Sequence, residues 1–192
     1  MSASEPRAPR DVARRCLCLE LLFQRYVLEL DDDDVREREA ARQAWAGRAP
    51  DLGVSDVLLS DERALLERPV GGLSEDDLDD VHGRASGALV LLWALGRLPA
   101  RPGFAAVEAM DEELAAHGLL GDGSVSAARA AAEGAALRPE AELDQALSSY
   151  LHVRGKAREV RDPEKVFADV AAHHLTWVLD ASMAFDADVE IG

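Results

Sequence analysis

The most regular pattern of apolar and polar positions runs from Ser74 to Gly96. Apolar residues recur there at intervals of three and four, as on one face of an α-helix: Leu78, Val81, Ala85, Ala88, Leu92 and Leu95. The first half is acidic, and Ser74 followed three residues later by Asp77 resembles a capping box. The second half, residues 88–95, is apolar on every side. A helix of that kind lies in the middle of a fold, so the pattern predicts a central apolar helix over residues 74–95.

Similar periodicity predicts further helices on both sides of the central one. The expected ranges are 11–30, 33–46 and 60–67 before it, and 104–117, 127–137, 140–153 and a last helix beginning at 162–163 after it. No stretch shows the alternation of a half-buried strand. We therefore predict an all-α protein, a single globular helical domain of about eight helices over residues 10–192, after a disordered lead-in at residues 1–9.

The chain is strongly acidic. It holds 21 Lys and Arg residues against 37 Asp and Glu, a formal net charge of -16. Such a charge repels nucleic acid and anionic membrane surfaces, so neither is an expected partner. It favours association with a basic protein. The alternative is that the acidity serves only to keep an apolar-rich chain in solution.

Targeting and cysteine usage point to the cytoplasm. The first fifteen residues contain no apolar segment of a signal peptide, and the longest apolar run, 88–95, is far too short to span a bilayer. The two cysteines, Cys16 and Cys18, lie two positions apart on a predicted helix, where they point to different faces and are poorly placed to form a disulfide. These features predict a soluble cytoplasmic protein.

Motifs that carry catalytic or cofactor chemistry are not found in the sequence. There is no GxSxG, no GxGxxG and no Walker A segment, and the five histidines lack the spacing of metal ligands. The aspartate runs 31–34 and 75–80 lack the alternating acids and central glycine of a calcium loop, and both precede or open predicted helices. We predict no cofactor and no metal, and the sequence offers no positive sign of an enzyme.

Five residues stand out as candidates for binding. Trp45 lies in a polar helix, where an exposed indole beside acidic residues would suit a cationic partner, although partial burial against a neighbouring helix explains it as well. Asp76, Asp77 and Asp80 form the acidic start of the central helix, which faces solvent or a partner. Arg84 lies at the junction between this acidic start and the apolar half, where a pocket between helices is expected if the chain has one.

Several segments occur in an order that resembles a known family. They are RCLCL at 15–19, ERPVGG at 67–72, LLWALG at 91–96, LRPEAELDQA at 137–146, LTWVL at 175–179 and FDADVEIG at 185–192. Together with Arg84 they resemble the bacterial family catalogued as domain of unknown function 4272. The resemblance implies a soluble, mostly helical fold and no particular activity. The family tends to carry a tryptophan just before the arginine matched by Arg84 and an acid two residues after it, where this chain has Gly83 and Ser86.

Two functional hypotheses follow. The first is a non-enzymatic acidic protein-protein interaction protein, such as an immunity-type protein that binds a basic partner. The second is an enzyme or small-molecule binder with a pocket between helices near Arg84. A homo-oligomer with a structural role is a third option.

Overall fold

The computed structural model describes residues 5–121, 124–156 and 162–185. Over these residues the chain forms nine α-helices and no strand. They are α1 (Pro9–Leu30), α2 (Val35–Leu52), α3 (Ser60–Glu67), α4 (Glu75–Ala94), α5 (Phe104–Glu108), α6 (Met110–His117), α7 (Val125–Glu133), α8 (Glu140–Lys156) and α9 (Pro163–Leu179). The all-α, single-domain prediction is confirmed. The helix count differs from the expected eight because one predicted helix is divided in two.

Helix α4 is central, as the sequence predicts. Ser74 Oγ accepts a hydrogen bond from the Asp77 N–H at 3.1 Å, and Asp77 Oδ2 accepts one from the Ser74 N–H at 2.8 Å, which completes the capping box. The helix ends before Gly96, whose φ of 70° lies in the left-handed region that glycine adopts at low cost. The apolar half is buried on all sides because α4 packs against both α1 and α9.

Helix α1 is the second core helix. Its side chains from residue 15 to residue 23 are all buried, including the charged Arg15 and Glu20. Glu20 accepts hydrogen bonds from the N–H groups of Leu119 at 2.8 Å and Leu120 at 2.7 Å, so it ties the loop after α6 to α1. Burial raises the pKa of Glu20, and the two backbone hydrogen bonds oppose that effect.

The structure differs from the sequence prediction at two helices. The helix expected at 104–117 is interrupted at Ala109, whose φ and ψ of -104° and 22° are not helical. The break lets α5 contact both α4 and α9, while α6 continues along α4. Helix α2 runs to Leu52, beyond the expected end at residue 46, and includes Pro50 in its last turn. The N–H groups of Gly53 and Val54 donate to the carbonyls of Pro50 and Ala49 and close this end.

Smaller differences concern helix starts. Helix α7 begins at Val125, two residues before the expected start, because Ser124 caps it by accepting a hydrogen bond from the Ala127 N–H. Pro139 lies before the first residue of α8, and its carbonyl accepts the first hydrogen bonds of that helix. Of the lead-in expected at 1–9, residues 1–4 lie outside the described part of the chain, and Arg7 N–H donates to the carbonyl of Val178 at 2.9 Å.

Arginines from distant parts of the chain cap the C-terminal ends of six helices. Helices α1, α2, α3, α4 and α9 have no basic residue in their own last turn. The capping contacts are Arg38 to Leu28 O on α1, Arg14 to Gly53 O on α2, Arg25 to Leu65 O on α3, Arg138 to Trp93 O on α4, Arg97 to His117 O on α6 and Arg7 to Trp177 O on α9. Each guanidinium lies at the C-terminal end of a helix and meets the negative end of the helix dipole. Trp93 O also accepts the Gly96 N–H, and Gly53 is the residue that follows α2. A large share of the cationic groups is therefore directed at the protein's own backbone.

The remaining predictions about single residues concern cysteines and tryptophans. Cys16 and Cys18 are free thiols and fully buried. Trp93 and Trp177 are core residues, 6% and 5% exposed. In the part of the chain that the structure describes, no helix is long and apolar enough to cross a membrane.

Candidate functional site

Arg84 lies at the centre of a cluster of carboxylates. Its Nε is 2.9 Å from Asp80 Oδ1, one turn earlier on α4, and its NH1 is 2.6 Å from Asp61 Oδ2 on α3. The same NH1 is 4.0 Å from Glu62 Oε1. Burial acts to lower the pKa of Arg84, but the two aspartates outweigh it and raise that pKa. The predicted site residues Arg84 and Asp80 are therefore together, and they are joined by two acids of α3 that were not predicted.

Behind Arg84 lies a buried ion pair. Arg15 of α1 makes a bidentate contact with Glu62, with distances of 2.7 Å from NH1 to Oε2 and 2.5 Å from NH2 to Oε1. The two side chains are 1% and 0% exposed. Glu62 Oε2 also accepts a hydrogen bond from the Leu59 N–H at 3.1 Å, at the start of α3. A charge pair this deep depends on such a bidentate contact, since each ion alone is costly to bury. Among the described residues, Arg15 Nε has no hydrogen-bond partner.

Aromatic side chains cover the other side of Arg15. The Phe185 ring lies over the guanidinium, with Arg15 Cζ 3.7 Å from the ring centroid. The same ring makes edge contacts with His173, His174 and Trp177 at centroid distances of 5.1, 5.3 and 5.2 Å. A guanidinium over an aromatic face is a favourable cation–π contact, and it is stronger where water is excluded.

His174 is a buried neutral histidine. Its Nδ1 lies 2.8 Å from the carbonyl of Val170, and burial lowers the pKa of His174 to about 3. The ring fills the space beside Gly87 of α4, where a Cβ atom would lie 2.2 Å from Nε2. Only glycine fits at that position while His174 keeps its place, so the pair fixes the approach of α4 to α9.

The other predicted acids have different roles. Asp77 caps α4 and forms an ion pair with Arg68 at 2.5 Å, and hydrogen bonds from Ser74 lower its pKa. Asp76 is exposed on the first turn of α4. Asp80 and Asp61 are 46% and 52% exposed, so both carboxylates face water while they hold Arg84.

Trp45 is not part of this cluster. It lies on α2, which packs against α1, α3 and α7, and it is partly buried against the core. The guanidinium of Arg48 lies over its ring at 3.9 Å. Its indole face is therefore already occupied by a cation from this chain.

The two cysteines are poor nucleophiles. Burial raises the pKa of the Cys18 thiol to about 12 and that of Cys16 well above its ordinary value, so neither is a ready nucleophile. Within the described ranges, no group of three or more His, Cys, Asp or Glu side chains is placed to hold a metal ion.

Sequence reasoning missed Arg15, Glu62, His174 and Phe185. Arg15 and Glu62 are 47 positions apart, and neither carries a local signal of burial beyond the apolar neighbours of Arg15. The one available signal was that an arginine interrupts a helix that is apolar on nearly every side. Such a residue has a buried partner more often than not.

Fold and site define an all-α protein in which a buried Arg–Glu pair lies beneath a partly exposed cluster of one arginine and two aspartates. The chain belongs to the family described as Domain of unknown function (DUF4272), whose sequence model matches residues 2–187. No curated protein and no solved structure matches the chain.

Proposed function

We propose that this protein is a non-enzymatic, cytoplasmic interaction protein whose acidic surface binds a basic protein partner. The observation that carries the proposal is the arrangement of charge around α3 and α4. Exposed carboxylates at Asp61, Asp76 and Asp80 face water, while the cation among them, Arg84, is only 30% exposed. A partner approaching this side of the molecule meets acids first.

The contacts of the arginine side chains support the same proposal. Six of them dock on helix C-termini, and Arg15 and Arg25 are 1% exposed. Several cationic groups therefore contact backbone carbonyls or lie in buried pairs, and carboxylates outnumber cationic groups among the exposed side chains of the described residues. Such a surface accelerates encounter with a positively charged partner and disfavours anionic ones. An immunity-type protein that neutralises a basic toxin is the class of interaction protein that this surface suits best.

The rival hypothesis, a pocket at Arg84 that binds a small molecule, has weaker support. Arg84 would be the natural anchor for an anionic ligand, but Asp80 and Asp61 already take its Nε and NH1. An incoming anion would have to displace two carboxylates and approach a third, Glu62. The electrostatics of the cluster favour a cation.

A binding experiment with matched charge reversals tests the proposal. The probe is an arginine-rich peptide, titrated into the wild-type protein and into Glu75→Lys/Asp76→Lys, which reverses two exposed charges on the first turn of α4. The control is Asp32→Lys/Glu37→Lys, which makes the same change in net charge at the exposed start of α2. We expect the α4 variant to lose roughly tenfold in affinity and the control markedly less. Equal losses in both variants, or an unchanged affinity in the α4 variant, would contradict a binding surface at this site.

A further inference from the structure

The chain does not stop at the end of α9 but turns back over the core. We call residues 180–185 the strap. The strap begins with a tight turn in which Asp180 Oδ1 accepts hydrogen bonds from the N–H of Ser182 at 2.9 Å and from its hydroxyl at 2.6 Å. This turn brings Phe185 back to the α9 residues His173, His174 and Trp177 and to Arg15 of α1.

Besides Phe185, Met183 of the strap packs against the core, and two hydrogen bonds join the strap to the N-terminal segment. The Ala181 N–H donates to the carbonyl of Glu5 at 3.1 Å, and the Arg7 guanidinium donates to the carbonyl of Met183. Arg7 is itself placed by the Trp177 ring, 4.2 Å from its Cζ. Ala181, Ser182 and Ala184 are exposed. A surface segment in which half of the residues are exposed belongs to the part of a fold that opens at low cost.

The Arg15 guanidinium beneath Phe185 lowers the free energy needed to open the strap. Phe185 stacks on the guanidinium of Arg15, which is charged and 1% exposed. When the ring leaves, the apolar contact is lost but the Arg15–Glu62 pair regains part of its hydration. The two effects have opposite signs, so closed and open positions of the strap differ by less free energy than burial of a phenyl ring alone would give.

His173 lies where its protonation would affect closure of the strap. Its side chain hydrogen bonds to the backbone of Phe185, and its ring lies 5.1 Å from the Phe185 ring. Burial, and then the charge of Arg15, lower the pKa of His173, while the hydrogen bond to Phe185 opposes them. A proton on His173 would place a second positive charge beside Arg15 under a closed strap.

Among the residues that the structure describes, the charged groups nearest to His173 are already engaged elsewhere. Glu62 of α3 is engaged with Arg15 in a bidentate pair. Asp169, one turn earlier on α9, pairs with Arg154 of α8 at 2.8 Å. His174 stays neutral in mild acid because it is buried against Gly87 of α4.

We propose that residues 180–185 form a pH-sensitive strap, closed over the Arg15–Glu62 pair near neutral pH by Phe185 and released when His173 gains a proton. The direction of the pH dependence follows from the difference in the pKa of His173 between the closed and open states. In the closed state the pKa of His173 lies below its ordinary value near 6.5, and opening hydrates the ring and moves that pKa back up. The open state therefore takes up the proton more readily, so closure is favoured above about pH 6.5 and is lost as pH falls below it.

Fluorine NMR tests the strap directly, because the chain contains only four phenylalanines. The protein is labelled with 4-fluorophenylalanine, and the Phe185 signal is assigned by its loss in Phe185→Leu. Between about pH 7.5 and about pH 4.5 we expect the Phe185 signal to move towards the position of a solvent-exposed ring, with a midpoint below 6.5. The signal of Phe167, which packs on Tyr150, should stay in place, and circular dichroism should show intact helices.

Two histidine variants separate the mechanism from a general acid effect. His173→Asn should hold the Phe185 signal at its closed position throughout the range, whereas His152→Asn, at an exposed position on α8, should behave as wild type. A Phe185 signal that does not move in the wild-type protein would overturn the proposal. So would a signal that moves with the same midpoint in His173→Asn, or one that moves only together with that of Phe167.

A reciprocal measurement covers the case in which His173→Asn does not fold. Coupling between two groups acts equally in both directions, so removing the ring must change the proton affinity of the histidine. In Phe185→Ala, proton NMR titration should give His173 a higher pKa than in the wild-type protein, with His152 unchanged. An unaltered His173 titration would show that Phe185 and the proton are not linked.

Discussion

At the scale of single residues, Arg15 and Glu62 place opposite charges where almost no water reaches them. The pair links α1 to the first turn of α3, and Glu62 also satisfies the Leu59 N–H there. Because each of these buried charges neutralises the other, replacing both residues together costs less stability than replacing one and leaving the other charge unpaired. The same contrast does not exist for the neighbouring pair of Arg14 and Asp56, in which the aspartate side chain is 74% exposed.

Breaking the buried pair should be costly. We expect Glu62→Gln to lower the free energy of unfolding by about 3–5 kcal/mol, since Arg15 is left charged and without its carboxylate. The double variant Arg15→Met/Glu62→Leu should lose clearly less than the single one. Urea denaturation measures both, and Asp56→Asn, expected to cost below about 1 kcal/mol, is the exposed control. A single variant no worse than this control would show that the pair is not a buried contact.

Gly87 offers a test of helix packing by one methyl group. Gly87→Ala would place a Cβ atom 2.2 Å from His174 Nε2, so we expect a loss of about 2 kcal/mol or more in unfolding free energy. Gly83, one turn earlier on α4, has nothing within 4 Å of such an atom. There Gly83→Ala should stabilise the helix by roughly 0.5–1 kcal/mol. Equal effects at the two positions would contradict the described contact of α4 with α9.

His174 gives the fold a pH dependence of known sign. Its pKa is about 3 in the folded protein and near 6.5 when the chain is unfolded, so between these values the unfolded state binds the extra proton. The contribution of neutral His174 to the free energy of unfolding is fully present above about pH 6.5 and is lost progressively as pH falls towards 3. Urea denaturation at several pH values should give the wild-type protein a slope up to about 1.4 kcal/mol per pH unit steeper than that of His174→Gln. Parallel slopes would mean that His174 is not buried in its neutral form.

At the scale of helices, the C-terminal ends depend on arginines supplied from elsewhere. Arg138, just before α8, donates to Trp93 O at 2.7 Å and to Leu98 O at 3.0 Å, and so closes the end of α4. Its guanidinium also lies 5.0 Å from the Trp93 ring. One side chain thus joins the end of the central helix to the helix that packs on α9.

Removal of this capping arginine should destabilise the whole domain. We expect Arg138→Ala to cost about 2 kcal/mol in unfolding free energy, the range for charged hydrogen bonds to buried acceptors. Arg129→Ala, at an exposed position on α7, should cost less than about 0.5 kcal/mol. Thermal and urea unfolding measure both. If the two alanine variants are equally stable, the contacts of Arg138 with α4 do not contribute to the free energy of unfolding.

The helices were predictable where their signals are local. Ser74, Asp77 and Gly96 bound α4 through hydrogen bonds and backbone geometry within a few residues, and the structure places them as expected. The break at Ala109 was not predictable, because it depends on which neighbours α5 and α6 contact. The apolar period through this region is the same with or without the break.

The site was predictable only in part, for the same reason. Arg84 and Asp80 lie one turn apart on one helix, so their pairing is a local event. Asp61 and Glu62 join them from another helix, and Phe185 reaches Arg15 across 170 positions of chain. No period or motif in the sequence encodes such contacts, which depend on how the helices pack.

At the scale of the whole molecule, charge and fold act together. The domain carries a formal net charge of -16, and many of its arginines bind carbonyls at helix C-termini or form buried ion pairs. What remains towards solvent is predominantly carboxylate. The proposed role as a binder of basic proteins rests on this excess of exposed carboxylates and on their arrangement around α3 and α4.

The rate of association with a basic partner tests this account most directly. Stopped-flow measurement of an arginine-rich peptide binding to the wild-type protein, at about 50 mM and about 300 mM salt, separates association from dissociation. Electrostatic attraction by the acidic surface predicts an association rate constant that falls by about tenfold or more with added salt, with a much smaller change in dissociation. An association rate constant that does not depend on salt would contradict the account.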